Sequence, residues 1–138
     1  LGACAVAKRM LRELAQRGLR SDADLNEAIV VAALLHDVTH VPFGHTLEDE
    51  RRLFPRHDKG RRLGMVLAGG LGESLERLDL YEPVAAILGH APSSSVPEWA
   101  GQIVSSTIDA DLLDYLRRDS YFAGLAQSYD DRIFHQFV

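Results

Sequence analysis

Cysteine is almost absent: the 138 residues hold one, Cys4, so an internal disulfide and a disulfide scaffold are excluded. A lone thiol in an apolar run fits a reducing compartment, and a cytoplasmic location is the expectation. Long hydrophobic runs are missing as well. The longest uninterrupted apolar stretch, residues 28–35, is eight residues where a membrane-spanning helix needs about 20. Basic side chains are the minority, 15 against 20 acidic ones, for a formal charge of −5. That balance does not favour a nucleic-acid backbone as partner. Residues 1–10 show no basic segment ahead of an apolar stretch and no cleavage pattern follows, so no signal peptide is read. The chain has no initiator methionine and is expected to start inside a larger protein.

What is present is an ordinary globular composition, 46% hydrophobic and 25% charged, in a length suited to a single domain over residues 1–138. Cys4, Ala7, Leu11 and Leu14 recur at helical spacing and Gly18 ends that pattern. Asp24, with Glu27 three residues on, resembles a capping box and predicts a second, nearly all-apolar and therefore central helix through Leu35 or His36. Pro42 and Gly44 interrupt the pattern ahead of a polar segment. Further helices are expected over residues 56–68, 75–80 and 83–89, separated by Pro55, the Gly69-Gly70 pair and Pro83. The prolines and serines of residues 91–97 predict a loop. Trp99, Ile103, Ile108, Leu112 and Leu116 predict one long helix over residues 98–120. No strand alternation and no long repeat is visible, which makes the fold class all-α.

Charge is distributed unevenly. In residues 51–62 six basic side chains, Arg56 among them, stand against Asp58 alone, a local +5 that leaves −10 for the remainder. This window reads either as an anion site or as a solvated helix face.

Three of the six histidines fall in HDVTHVPFGH, which places His36, Asp37, His40 and His45 within ten positions. Imidazole and carboxylate suit borderline divalent ions such as Mn²⁺, Fe²⁺, Zn²⁺ or Ni²⁺. Consecutive helical residues diverge by about 100°, so His36 and Asp37 can share an ion only near the helix end, with a carboxylate arriving from elsewhere. Asp109, Asp111, Asp114 and Asp119 in IDADLLDYLRRD are the candidates, and Asp111, Tyr115 and Asp119 share one helical face. An isolated His-Asp pair at a helix end is ordinarily a cap, and Asp114 with Arg118 is an ordinary surface ion pair.

Three segments in order, AALLHDVTHVPFGHTLEDE, RHDKGRRLG and IDADLLDYLRRDSYFAG, resemble the HD-domain metal-dependent phosphohydrolases. The resemblance is nearest to their deoxynucleoside triphosphate triphosphohydrolase (dGTPase-like) branch and covers nearly the whole chain. It implies an HD-domain helical bundle with His36, Asp37 and Asp111 as ligands of a divalent metal ion (Mn, Fe, Zn, Ni or Mg). It also implies catalytic roles for His40 and His57, with Glu48 orienting one of them, and contact of Tyr115 and Asp119 with substrate or the pocket wall. Arg56 joins them as an anion contact, and His45 stands at the substrate's edge, more structural than catalytic. His90 and His135 are read as incidental, and Tyr121, Phe122, Tyr129 and Phe134 as packing for the C-terminal segment. The expected partner is a phosphorylated small molecule, a nucleotide by preference, and the resemblance implies assembly into homo-oligomers.

Two departures qualify the match. The family's fourth metal ligand is a histidine at the start of the first helix, and this chain begins at Leu1-Gly2, just after its place. Leu112 stands where the triphosphohydrolase branch carries a basic residue, so either residues 51–62 supply the anion contact or the substrate is not a nucleoside triphosphate. The alternative function is a non-catalytic HD-like module that binds nucleotide or regulates a partner. Cyclic-dinucleotide cleavage is disfavoured because that subgroup's Gly-Tyr-Pro signature is absent.

Overall fold

Helix α2 (Ala23–Leu35) is apolar nearly all round, and it is buried accordingly between α1 (Gly2–Gln16) on one side and α5 (Tyr81–Ile87) and α6 (Glu98–Val104) on the other. The computed structural model describes residues 1–57, 61–92, 96–126 and 128–137. Besides these helices it contains a π-helical turn (Thr46–Glu50), α3 (Arg61–Leu67), α4 (Gly70–Arg77), α7 (Ala110–Phe122) and a 3₁₀ turn (Asp131–Gln136), with no strand among the described residues. The fold is an all-α bundle. Asp58 and Lys59 of the basic window and Ser93 to Ser95 of the expected loop lie outside the described residues.

Small side chains set the helix spacing. Ala3, Ala7, Met10 and Leu14 form the buried stripe of α1, shifted by about one position from the expected Cys4, Ala7, Leu11 and Leu14, while Cys4 and Leu11 are half-buried. Ala28, Ala32 and Ala33 of α2 allow neighbouring backbones to approach closely, and Ile29 fills the centre. Gly18, at φ +94°, ends α1 as its position predicts.

Several boundaries differ from the sequence reading. Asp22, not Asp24, caps α2: its carboxylate accepts from the Leu25 N–H at 2.7 Å, which puts Glu27 too far along the helix to complete a capping box. The described part of the predicted 56–68 helix is helical only from Arg61. α4 begins at Gly70 because Gly69 serves as its N-cap and Gly72 packs where a Cβ would lie 1.8 Å from the Leu67 carbonyl oxygen. Pro83 sits inside the first turn of α5, where its missing N–H costs no helical bond. Tyr129 and Phe134 do pack against the core, with Tyr129 Oη donating to the Leu113 carbonyl at 2.6 Å, but Tyr121 and Phe122 are 80% exposed.

The largest difference is at residues 105–109. The expected single helix over 98–120 is two, because Ser105, Ser106 and Thr107 offer side-chain partners that compete with helical bonds and Thr107 and Ile108 are β-branched. Ser105 is extended (φ −147°, ψ 97°), and Asp109 restarts the chain by accepting from Leu112 N–H at 2.8 Å and Ser106 N–H at 3.0 Å. Replacing Asp109 by Ala is expected to cost about 0.5–2 kcal/mol, read as a lower denaturation midpoint. An unchanged midpoint would show that the cap does not hold this corner.

Candidate functional site

The corner at residues 105–109 and the end of α2 face each other. His36 still has helical backbone angles and its N–H reaches the Ala32 carbonyl at 2.9 Å, while the chain beyond it leaves the helix in tight turns closed by Val38 N–H to Leu35 O and His40 N–H to Asp37 O. This exit swings the Asp37 side chain back beside His36. From the other side, the first turn of α7 brings Asp111.

The Nδ1 of His36 lies 2.9 Å from the Ala33 carbonyl oxygen, which can only accept, so Nδ1 carries the hydrogen. Nε2 then points toward Asp37 Oδ2 at 3.6 Å and Asp111 Oδ1 at 3.4 Å, and it is buried with no hydrogen-bond partner. One ligand atom from each of His36, Asp37 and Asp111 falls within 4.8 Å of the others. Burial pushes the His36 pKa down, but the nearby Asp111 and Asp37 carboxylates outweigh it and raise it to about 9. The Asp111 carboxyl is lowered, chiefly by His36 and against the effect of burial. An orphaned imidazole nitrogen between two carboxylates fits the donor set of a divalent ion of the borderline kind.

A second layer lies behind Asp37. His57, 4% exposed, places Nε2 at 3.0 Å from Asp37 Oδ1 and Nδ1 at 2.8 Å from Glu48 Oε2. The π-helical turn aims Glu48 inward, where it also pairs with Arg62, which in turn donates to the Pro55 carbonyl at 2.7 Å. Burial alone raises a carboxyl pKa; here the bonds to His57 and Arg62 prevail and hold Glu48 down at about 2. The rings of His40 and His45 stand 4.4 and 5.6 Å from that of His57. Gly44 is needed beside them, since a Cβ there would lie 2.7 Å from His40 Cε1.

These groups border a cleft of about 880 Å³ whose lining includes His36, Asp37, His45, His57, Arg56, Arg61 and Asp111. Arg56 also pairs with Asp49 at 3.1 Å. Glu98, Gly101 and Gln102 of α6 and Ser105 just beyond it line the same cleft. Of the residues singled out in the sequence, His40 packs edge-on against His57, Glu48 is buried against the same imidazole, and Tyr115 and Asp119 follow Asp111 along α7, none of the four in the lining of this cleft. Asp114 pairs with Arg118 at 2.8 Å, the ordinary i, i+4 contact expected of it. Sequence reasoning missed Arg61, His90, Glu98 and Gln102 as lining residues. Arg61 carried a signal, its place in the basic window, whereas His90 and the two α6 residues carried none.

The family model described as HD domain matches residues 1–119. The uncharacterized protein YwfO of Bacillus subtilis is 28% identical over 134 residues, which is 95% of this chain and 30% of that protein. A Methanocaldococcus jannaschii protein, likewise uncharacterized, is 32% identical over 117 residues, 82% of this chain and 21% of that protein. Among solved structures, a phosphohydrolase from Bacteroides thetaiotaomicron superposes with a TM-score of 0.67 at 29% identity, over 89% of this chain and 29% of that one. The chain thus spans less than a third of the length of each of these relatives.

Proposed function

The chain belongs to the HD domain family, and from that premise we propose that it is a metal-dependent phosphohydrolase whose substrate is a nucleotide, with dNTP triphosphohydrolysis the favoured activity. The observation that carries this reading is the convergence of His36, Asp37 and Asp111, one nitrogen of which is buried without a partner, at the edge of a cleft that also holds Arg56 and Arg61. The structural likeness to a phosphohydrolase supports the reaction class.

His36, Asp37 and Asp111 would hold the ion. A divalent ion held there would polarise a phosphoryl oxygen and lower the pKa of a bound water toward neutrality. The remaining work falls to the protein's own side chains. Arg56 and Arg61 offer fixed positive charge to the phosphate oxygens, the contact that Leu112 cannot make. His57, held by Glu48 through Nδ1, would move a proton at the reacting oxygen through Nε2 when Asp37, its partner at 3.0 Å, turns to the ion, and His40 packs edge-on against its ring. Tyr115 and Asp119 are assigned to the outer reach of the substrate along α7. The test is product release, scored as phosphate, triphosphate and nucleoside, with Mn²⁺ across dNTPs, nucleoside monophosphates and generic phosphate esters: turnover of any class supports a phosphohydrolase, triphosphate release from dNTPs supports the finer activity, and no turnover on any contradicts both.

The site also sets a pH dependence. With His36 raised to about 9 from an ordinary 6.5, an incoming ion must displace a proton throughout the neutral range, so apparent metal affinity is expected to rise about tenfold per pH unit between about pH 6.5 and 9. In the metal-free protein the sign is opposite: the raised His36 contributes stability that is complete below about 6.5 and lost as pH rises through about 9. Calorimetric metal titrations at several pH values check this, and a pH-independent affinity would contradict it.

A further inference from the structure

The residues that line the cleft differ in chemistry. Arg56 and Arg61 line it together with the His36, Asp37 and Asp111 cluster, and α6 lines it with Glu98 and Gln102 at i and i+4, followed by Ser105 just past the helix end. At about 100° per residue Glu98 and Gln102 point within about 40° of one another, while Ala100 and Ile103 are buried in the core. Gln102 Nε2 donates to Glu98 Oε1 at 3.4 Å, so a carboxylate and an amide are presented as a pair.

Gly101 lines the same cleft. A glycine inside a helix is unfavourable relative to alanine, and packing does not demand one here. A Cβ at this position would have only the Ile87 carbonyl oxygen within 4 Å, at 3.8 Å, an ordinary contact. What the missing side chain provides is room in the cleft. The volume of about 880 Å³ belongs to the range of sites that enclose a whole small molecule rather than a phosphate group alone.

Resting on the phosphohydrolase reading above, we infer that this α6 face selects the substrate by its non-phosphate part, with Glu98 and Gln102 recognising hydroxyl or amino donors and Gly101 leaving them space. A carboxylate repels phosphate, so the wall orients the substrate as well: the phosphoryl group turns to the arginines and the donor-bearing group to α6. Sugar hydroxyls and nucleobase amino groups share this donor chemistry.

Calorimetric binding of inorganic phosphate, ribose 5-phosphate and the nucleoside 5′-monophosphates, with Mn²⁺ present, tests the assignment in the wild type, Gly101→Leu and Gln102→Leu. The expected result is an organic phosphate that binds the wild type at least about tenfold more tightly than inorganic phosphate, a margin that shrinks about tenfold in either variant because a donor loses its partner or its space. A margin shared by ribose 5-phosphate assigns the sugar, and one confined to the nucleotides assigns the base. Equal affinities in the wild type, or a margin that survives both substitutions, would overturn the inference. Circular dichroism confirms the fold of each variant, and Gln102, being exposed, remains informative if Gly101→Leu does not fold. Release of phosphate or triphosphate is scored separately. A margin that shrinks in a protein without turnover keeps the α6 assignment and removes the phosphohydrolase reading.

Discussion

Asp111→Ala is expected to weaken divalent-metal binding by more than about 100-fold, since removing even an outer partner of a metal ligand costs 10–100-fold. Asp111 is the one carboxylate that α7 contributes to the cluster, 3.4 Å from the orphaned His36 Nε2. Its loss leaves a histidine and an aspartate that are neighbours in sequence. The helix itself should survive, because Asp109 rather than Asp111 caps α7. Phosphate release should fall in step with metal occupancy and recover in part at high Mn²⁺, whereas a purely structural role would lower stability without moving the metal titration. Calorimetry with Mn²⁺ on folded Asp111→Ala is the check, and an unchanged affinity would remove Asp111 from the site.

His57→Asn is expected to lower kcat by about 10²–10⁴-fold, the usual contribution of a positioned acid or base, while weakening metal binding less than Asp111→Ala does. Glu48→Gln should lower kcat by about 10–100-fold through His57. The two act as one unit, because Glu48 reaches the cleft only by way of the imidazole, 2.8 Å on one side and 3.0 Å from Asp37 on the other. The double variant should therefore be little worse than His57→Asn alone. Multiplicative losses would mean that Glu48 and His57 act independently. The same carboxylate sets an acid limit on stability. Held at about 2 against an ordinary 4.5, it stabilises the fold above about pH 4.5, and that contribution is lost as pH falls toward 2. Acid unfolding of Glu48→Gln should be flatter over this interval.

The parts of this arrangement that were legible in the sequence are those that local pattern controls. An apolar run too short for a membrane and without a polar face indicated the central helix α2, and the dense HDVTHVPFGH segment at its end indicated chemistry there. Asp111 was reachable only among four aspartates until the resemblance singled it out, because spacing along a helix does not tell which turn faces another element. The break at residues 105–109 was hidden by an apolar period that runs on through Ile108. Its signal, Ser-Ser-Thr-Ile-Asp, lies in capping chemistry instead of hydrophobicity. Glu48 and Arg62 come together through the π-helical turn, a geometry that propensity does not announce. The α6 side of the cleft is wholly tertiary. Glu98 and Gln102 are an unremarked polar pair in the sequence and acquire meaning only when folding brings α6 into the lining of the same cleft as the end of α2.

The central claim is that His36, Asp37 and Asp111 constitute a divalent-metal site. Elemental analysis of the purified chain, equilibrated with Mn²⁺, Fe²⁺, Zn²⁺ and Ni²⁺ in turn near pH 8 and freed of unbound ion, tests it most directly. The account predicts close to one ion per chain for at least one of these metals, lost in His36→Ala. No retained metal under any of the four conditions, or the same content in His36→Ala as in the wild type, would contradict it.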